Sequence, residues 1–467
     1  MSQTLMSTEF AWPDLAEVIR VLTLQAGYNT TVVLIGVSLL GAAAGVVGTF
    51  AVLRRRALMS DTLSHATLPG ICLAFLAAVL LDADGRSLPV LLAGAAVSGV
   101  IGVLIVQAVV HTTRLPEDAA MGAVLSVFFG LGFVLLSHIQ TLGTGAEGGI
   151  AKFIYGQTAA MSSGEAMTIA WVALVATIAV CALFKEFRLA CFDREFAVAQ
   201  GWPVARIDLL MMALVVLVTV IGLRAVGLIL IVALIIIPAA AARFWTERLS
   251  VMTVTAAGIG AASGYLGAAA SALFPSFPAG GVIVLTAGAF FLVSLLFAPA
   301  RGVLAASLRQ ARLRLQVGSQ HVLRAMFEAL ESGRHTASGG VDLAHLQRVR
   351  SWSPAWLGLL VRWLEWTGRL RRVGSEVVLT GLGRREALRV TRNHRLFEQF
   401  LVTHAELAPS HVDRSADFVE HVLSPEMIAK LEAELAAVGR LPRHLGVPTS
   451  VHPLSAGMRG SAAKAAS

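Results

Sequence analysis

The chain has little charge, little lysine and few cysteines. Only 14% of its 467 residues are charged and 56% are hydrophobic, and the mean hydropathy of +0.74 exceeds that of soluble proteins. Its three cysteines suit neither a disulfide framework nor a zinc cluster. None of the four lysines follows a glycine, so the phosphate-binding Gly-Lys pair of a Walker A loop is missing. These absences argue against a soluble, disulfide-rich or ATP-hydrolysing protein.

The first 27 residues carry scattered charges instead of a compact apolar core, among them Glu9, Asp14 and Arg20. A cleavable signal peptide needs such a core, so none is predicted. We expect residues 1–27 to form an amphipathic segment at the membrane surface.

Long apolar runs recur over the first 300 positions and predict an all-α polytopic membrane bundle with eight or nine transmembrane helices. The pair of segments around GLRAVG (222–227) is the least regular, because Pro238 could break the second of them. The predicted spans lie near 28–52, 61–81, 88–111, 118–138, 166–184, 206–223, 225–243, 250–273 and 281–299.

Lysine and arginine in the short loops predict the orientation of the bundle, because cytoplasmic loops are rich in them. One set of loops holds ten such residues and the opposite set only four. The richer set is assigned to the cytoplasm, which also places the region after Arg301 inside the cell. Nine spans would put the N-terminus outside, and eight would put it inside. The ten are Arg54, Arg55, Arg56, Arg114, Lys185, Arg188, Arg194, Arg206, Arg243 and Arg248.

A polar stripe marks the cytoplasmic end of the second span. Asp61, Ser64 and His65 follow the i, i+3, i+4 spacing of one helix face, and Pro69 frees the carbonyl of His65, four residues earlier. Such oxygen and nitrogen ligands suit Mn²⁺, Fe²⁺ or Zn²⁺. The alternative is a helix start at which Asp61 or Ser60 acts as the cap and His65 packs against a neighbour.

Four ordered motifs resemble the permeases of bacterial manganese/zinc/iron ABC importers, over about 30–300. They are RRRALMSDTLSHATLPGI, PEDAAMGAVLSVFFGLG, FDREFAVAQGWPVARIDLL and VGLILIVALIIIPAAAARFWTERL. The resemblance implies a permease domain over 28–300 in the bacterial cytoplasmic (inner) membrane, without catalytic residues. It also implies three partners: separate cytoplasmic ATPase subunits, an extracytoplasmic metal-binding protein and a second permease.

By the same resemblance, Asp61 and His65, with Ser64 beside them, would line the metal pathway. Residues 192–206 would form the cytoplasmic coupling helix that docks on the ATPase. A solvated connecting loop is the alternative for this segment. The residues assigned to coupling are Asp193, Glu195, Phe196, Gly201 and Trp202.

After residue 300 the composition becomes charged and predicts a soluble region. Residues 301–318 are expected to be a basic amphipathic connector along the inner leaflet. Helix–turn–helix and hairpin patterns over 319–392 give a winged-helix outline, with a loop at 332–340. Helices over 393–455 follow, and 456–467 are predicted to be disordered.

The helices after the winged helix carry metal-ligand residues at helical spacing. His394 and Glu398 are four apart, while Asp417, Glu420 and His421 share a second helix face, so crossing helices could close around one or two ions. A charged, solvated helix face is the alternative. The region 319–455 resembles the diphtheria-toxin-repressor family of metal-dependent regulators, which implies a metal-binding and dimerisation role and adds His321 as a ligand.

DNA binding by this region is less well supported. The expected recognition helix starts with Pro354, Ala355 and Trp356, which lack the groups that read base edges. We therefore interpret the chain as the permease of an ATP-driven metal importer with a cytoplasmic metal-sensing domain. Two alternatives stay open: a membrane-tethered metal-dependent transcription regulator and an ion-coupled secondary metal transporter.

Overall fold

The structure is a computed structural model, and its described part is dominated by helices. The chain divides into two compact units, Met1–Ala306 and Ser307–Ser467. The predicted fold class, a helical membrane bundle followed by a soluble winged-helix and helical region, is confirmed. The described residues are 13–54, 57–81, 87–141, 158–274, 277–336, 339–350, 352–404, 425–437 and 448.

The described part of the first unit consists mainly of α-helices. Its helices are α1 (Leu15–Leu22), α2 (Tyr28–Leu53), α3 (Ala57–Leu80), α4 (Leu88–Thr112), α5 (Glu117–Thr141), α6 (Ser163–Ala182), α7 (Phe184–Phe192), α8 (Arg194–Ala199), α9 (Val204–Val226), α10 (Leu228–Arg243), α11 (Leu249–Leu273) and α12 (Ala279–Phe297).

Among the described residues, eight helices are long and apolar enough to cross a membrane: α2, α3, α4, α5, α6, α9, α11 and α12. The remaining predicted span corresponds to α10, which has 16 residues and contains Pro238. At 1.5 Å per residue it extends about 24 Å, short of the roughly 30 Å of hydrocarbon. Gly227 separates α9 from α10 with a φ of 86°, a left-handed conformation that favours glycine.

Helices α2 and α11 approach each other through glycines. A Cβ on Gly41 would lie 2.2 Å from the Gly260 carbonyl oxygen, and a Cβ on Gly260 would lie 2.0 Å from the Gly41 carbonyl oxygen. Small residues in these two spans therefore set the distance between the helix backbones, as is common in membrane bundles.

We expect Gly41→Ala to destabilise the bundle, because the added methyl group must push α11 away, and overpacking of this kind costs about 1–3 kcal/mol. Gly122→Ala on α5 is the matched control, since nothing lies within 4 Å of its Cβ position. Thermal unfolding of the detergent-purified protein measures both. Equal melting temperatures for the two variants would contradict close packing at Gly41.

The second unit is a winged helix extended by further helices. Its elements are α13 (Val303–Glu331), which begins in the first unit, β1 (Val341–Asp342), α14 (Leu343–Arg350), α15 (Pro354–Trp366), β2 (Leu370–Val373), β3 (Glu376–Leu379), α16 (Gly381–His404) and α17 (Pro425–Ala437). The three strands form an antiparallel sheet in the order β1-β3-β2.

Two details differ from the prediction. The predicted connector and the first predicted helix after it form one continuous helix, α13. Gly318 does not end this helix, because it packs closely on Leu360. Strand β1 directly precedes α14, and its two residues are too few to show the alternating pattern by which a strand is predicted.

Candidate metal-handling sites

Asp61 and His65 lie together on α3. His65 Nε2 is 3.6 Å from Asp61 Oδ1, and the two side chains are 20% and 38% exposed, respectively. Two atoms this far apart can both ligate one ion, since metal–nitrogen and metal–oxygen distances are about 2.1 Å. The helix begins at Ala57, one turn before Asp61, so Asp61 and Ser60 lie inside the helix and do not cap it.

The neighbours of His65 hold its ring in place. Phe129 of α5 makes an edge-to-face contact with the imidazole, with centroids 4.9 Å apart. One residue further along α3, the Ala66 carbonyl accepts a 2.6 Å hydrogen bond from Ser98 Oγ of α4. In the described part of the chain, the buried Nδ1 of His65 has no hydrogen-bond partner. The pair is therefore positioned by three packed helices and keeps an unused ligand nitrogen.

Ser64 has a different environment. Its side chain is fully buried, and its hydroxyl donates a 2.8 Å hydrogen bond to the Ser60 carbonyl. Pro69 lies inside α3 as expected. The geometry thus favours Asp61 and His65 as the ion-facing pair and gives Ser64 a bond within the helix.

The segment predicted to couple to an ATPase forms the short helix α8. Asp193 caps it by accepting a 2.9 Å hydrogen bond from the Phe196 amide, so this carboxylate shapes the segment. Phe196 and Trp202 are 49% and 42% exposed, and Glu195 is exposed too. Gly201 follows α8 with a φ of 80°, a conformation that favours glycine. Two large apolar side chains on a polar loop are typical of a contact surface.

Sequence analysis missed a buried ion pair beside this segment. Arg54, at the end of α2, donates from Nη2 to both carboxylate oxygens of Asp208 on α9, at 2.8 and 2.6 Å. Its Nη1 donates to the Ala190 carbonyl of α7 at 2.9 Å. In the sequence, Arg54 contributes only to the excess of lysine and arginine that predicts the orientation of the bundle. A lone carboxylate in the apolar stretch of α9 was the available signal, since such a group usually needs a partner.

In the second unit, the predicted ligands His394 and Glu398 meet inside the protein. His394 Nε2 lies 3.1 Å from Glu398 Oε1 on the same helix, and both side chains are completely buried. An imidazole and a carboxylate fit Mn²⁺ or Fe²⁺ in kind. Asp417, Glu420 and His421 lie outside the described residues. His321 lies on α13, and within the described ranges no group of three His, Cys, Asp or Glu side chains could hold a metal ion.

Arg324 of α13, which the sequence had not singled out, contacts the same histidine. Its Nη1 lies 2.5 Å from His394 Nδ1, and its Nε lies 3.3 Å from Glu328 Oε1. A guanidinium has only donors, so Nδ1 must be the acceptor nitrogen and Nε2 carries the ring hydrogen. Metal ligation needs a ring nitrogen with a lone pair that is not already engaged. A metal ion bound by His394 would therefore compete with Arg324.

The winged-helix unit offers little for reading DNA bases. Ser353 caps α15 by accepting from the Trp356 amide, and Trp356 packs against the core of the unit, in which Leu357 is buried. Pro354 and Ala355 at the start of the expected recognition helix are exposed, but their side chains carry no hydrogen-bonding groups that could read base edges.

Comparison with known proteins gives the same two-part division. Residues 28–298 match the ABC 3 transport family, and residues 380–449 match the iron dependent repressor, metal binding and dimerisation domain. The chain is 35% identical over 416 residues to the manganese transport system membrane protein MntC of Bacillus subtilis (strain 168), which covers 89% of this chain and 93% of that protein.

Two further relatives match a shorter part of the chain. The zinc transport system membrane protein TroC of Treponema pallidum (strain Nichols) is 41% identical over 292 residues, 62% of this chain and 96% of that protein. The solved structure of PsaBC from Streptococcus pneumoniae in complex with Fab has a chain 31% identical, with a TM-score of 0.53, covering 62% of this chain and 98% of that chain. The chain therefore belongs to the ABC 3 transport family of metal permeases and carries an iron-dependent-repressor type domain after its membrane region.

Proposed function

We propose that this chain is the permease subunit of an ATP-driven importer of divalent transition metals, with Mn²⁺ the foremost substrate and Fe²⁺ or Zn²⁺ the alternatives. The observation that carries the proposal is the Asp61–His65 pair, partly accessible on a helix that is otherwise largely buried. Ionisable side chains in a membrane helix are costly unless they have partners or line a wet path.

The chemistry of the pair suits transition-metal ions. A carboxylate oxygen and an imidazole nitrogen together bind Mn²⁺, Fe²⁺ and Zn²⁺, whereas a soft cuprous ion prefers sulfur ligands. The names of the relatives agree, since MntC is a manganese and TroC a zinc transport system membrane protein.

The importer would be completed by cytoplasmic ATPase subunits, a second permease and an extracytoplasmic metal-binding protein. The exposed Phe196 and Trp202 support ATPase docking at residues 192–206. The excess of lysine and arginine in one set of loops supports a cytoplasmic location for this segment and for the second unit.

The second unit would sense cytosolic metal through His394 and Glu398, together with His321, Asp417, Glu420 and His421. Its buried His394–Glu398 contact supports this role. The apolar start of α15 favours regulation of transport over sequence-specific DNA binding.

Reconstitution in proteoliposomes tests the transport proposal. We expect ⁵⁴Mn²⁺ uptake only when the chain is combined with an ATPase subunit, a metal-binding protein and ATP, and competition by unlabelled Fe²⁺ and Zn²⁺ ranks the substrates. Uptake by the chain alone, driven by an ion gradient, would instead establish a secondary transporter. Specific operator binding by the full chain, without transport, would establish the tethered regulator.

A further inference from the structure

We propose that Arg54 is a positioning residue that fastens both flanks of the coupling segment to the first membrane span. The inference rests on the proposed docking of residues 192–206 on an ATPase. Its basis is the hydrogen-bonding pattern of a single guanidinium, which links α2 to α7 before α8 and to α9 after it.

The contact is buried and directional. The Arg54 and Asp208 side chains are 9% and 5% exposed, so water competes little for their hydrogen bonds. Arginine presents several donors in a rigid plane, and here Nη1 and Nη2 bond to different helices. Lysine has a single nitrogen on a flexible stem and cannot reproduce this geometry.

Aromatic contacts make the same connection from α2 to α7. Phe50, one turn before Arg54, contacts Phe184 and Phe187 edge-to-face, with centroids 5.9 and 5.4 Å apart. The end of α2 is therefore held to α7 by ring packing as well as by Arg54. The link to the Asp208 carboxylate, by contrast, depends on the arginine.

This arrangement gives a route for mechanical coupling. Force applied to α8 reaches its two flanking helices, and Arg54 passes it from both to the end of α2. Helix α2 in turn packs backbone to backbone on α11 through Gly41 and Gly260. Stability alone is a weak reason for the pair, since apolar side chains often stabilise such a site as well as a buried ion pair does. What the ion pair adds is a fixed arrangement of the helices that it joins.

The test compares Arg54→Lys and Asp208→Asn with Arg188→Lys in the reconstituted importer. Arg188 is an exposed arginine of α7 and serves as the matched control. The measured quantities are copurification with the ATPase, ATP turnover and metal ions transported per ATP. We expect assembly and ATP turnover to persist in the Arg54 and Asp208 variants while transport per ATP falls about tenfold, as for the loss of a charge-assisted hydrogen bond.

A merely structural role predicts a different result: uptake and ATP turnover would fall together, in proportion to the amount of assembled complex. That outcome, or unchanged transport per ATP in Arg54→Lys, would overturn the inference. Should Asp208→Asn fail to assemble, Arg54→Lys decides, because it keeps the positive charge. A wild-type complex without ATP-dependent uptake would refute the proposed function itself, which separates the two failures.

Discussion

Asp61→Ala and His65→Ala are each expected to reduce ATP-dependent metal uptake to background while the importer still assembles. The two side chains form a carboxylate–imidazole contact on a described membrane helix, and their 3.6 Å separation lets both bind one ion. Losing either one leaves a single member of the pair, which weakens the replacement of the hydration shell of a divalent ion. Uptake of ⁵⁴Mn²⁺, with complex recovery measured in parallel, checks the expectation.

Two matched variants sharpen this test. His138→Ala removes an exposed histidine at the end of α5 and should transport normally. Ser64→Ala should keep most of the uptake, because the Ser64 hydroxyl is already bonded to the Ser60 carbonyl. Normal transport by both Asp61→Ala and His65→Ala would show that these side chains do not handle the transported ion and contribute only to packing.

The Asp61–His65 pair could be predicted from the sequence because its members are four residues apart on one helix. Helical periodicity fixes such a contact locally, and the same holds for His394 and Glu398. The membrane helices were predictable for a similar reason, since length and hydropathy are properties of a continuous stretch. The short α10 shows the limit, because Gly227 sets its start without altering its apolar composition.

The arginine partners could not be predicted, because they depend on tertiary packing. Arg54 and Asp208 are 154 positions apart, and Arg324 and His394 are 70 apart. Nothing in the local pattern distinguishes Arg54 from the arginines after it, or Arg324 from a solvated residue of an amphipathic helix. In both cases the structure shows a buried guanidinium that joins separate helices.

Substitutions of Arg324 and of the predicted ligands are expected to change metal binding by the second unit in opposite directions. In Arg324→Met the competing donor is gone, so His394 Nδ1 can carry the ring hydrogen and Nε2, which lies beside Glu398, can ligate metal. We therefore expect metal to bind about tenfold more tightly, as for the removal of a competing charge-assisted hydrogen bond. His394→Ala and Glu398→Gln should weaken binding. Mn²⁺ titration of the full-length protein in detergent, followed by the electron paramagnetic resonance of free Mn²⁺, measures all three without transport.

Arg385→Met is the control for this titration, because Arg385 is exposed near the start of α16 and should bind metal as the unaltered chain does. The Asp61–His65 pair could add a second binding phase. The Asp61→Ala background removes that phase and leaves the tail site alone. Equal affinity in Arg324→Met and the unaltered chain would show that Arg324 and metal do not compete.

The same variants test whether the tail regulates transport. Metal can shift a conformational equilibrium only by binding one state better than the other. Metal that binds His394 must break the contact between His394 and Arg324, a residue of α13. We therefore expect internal Mn²⁺ to slow ATP turnover by the assembled importer, and Arg324→Met to respond at lower Mn²⁺ than the unaltered chain. His394→Ala and a variant ending after Gly302 should lose the response.

Ending that variant after Gly302 retains Arg301, which donates from Nε and Nη2 to the Glu247 carboxylate at 2.6 and 2.7 Å. The hydrogen bond from Arg301 lowers the pKa of Glu247, so the carboxylate stays ionised and the contact persists at neutral pH. The shortened chain thus keeps the link between Arg301 and the loop before α11, and its transport activity reports on loss of the tail alone. Identical Mn²⁺ responses in the unaltered, shortened and His394→Ala proteins would rule out feedback through the ligands of the second unit. Opposite shifts of the Mn²⁺ response in Arg324→Met and His394→Ala would instead place the sensor at His394.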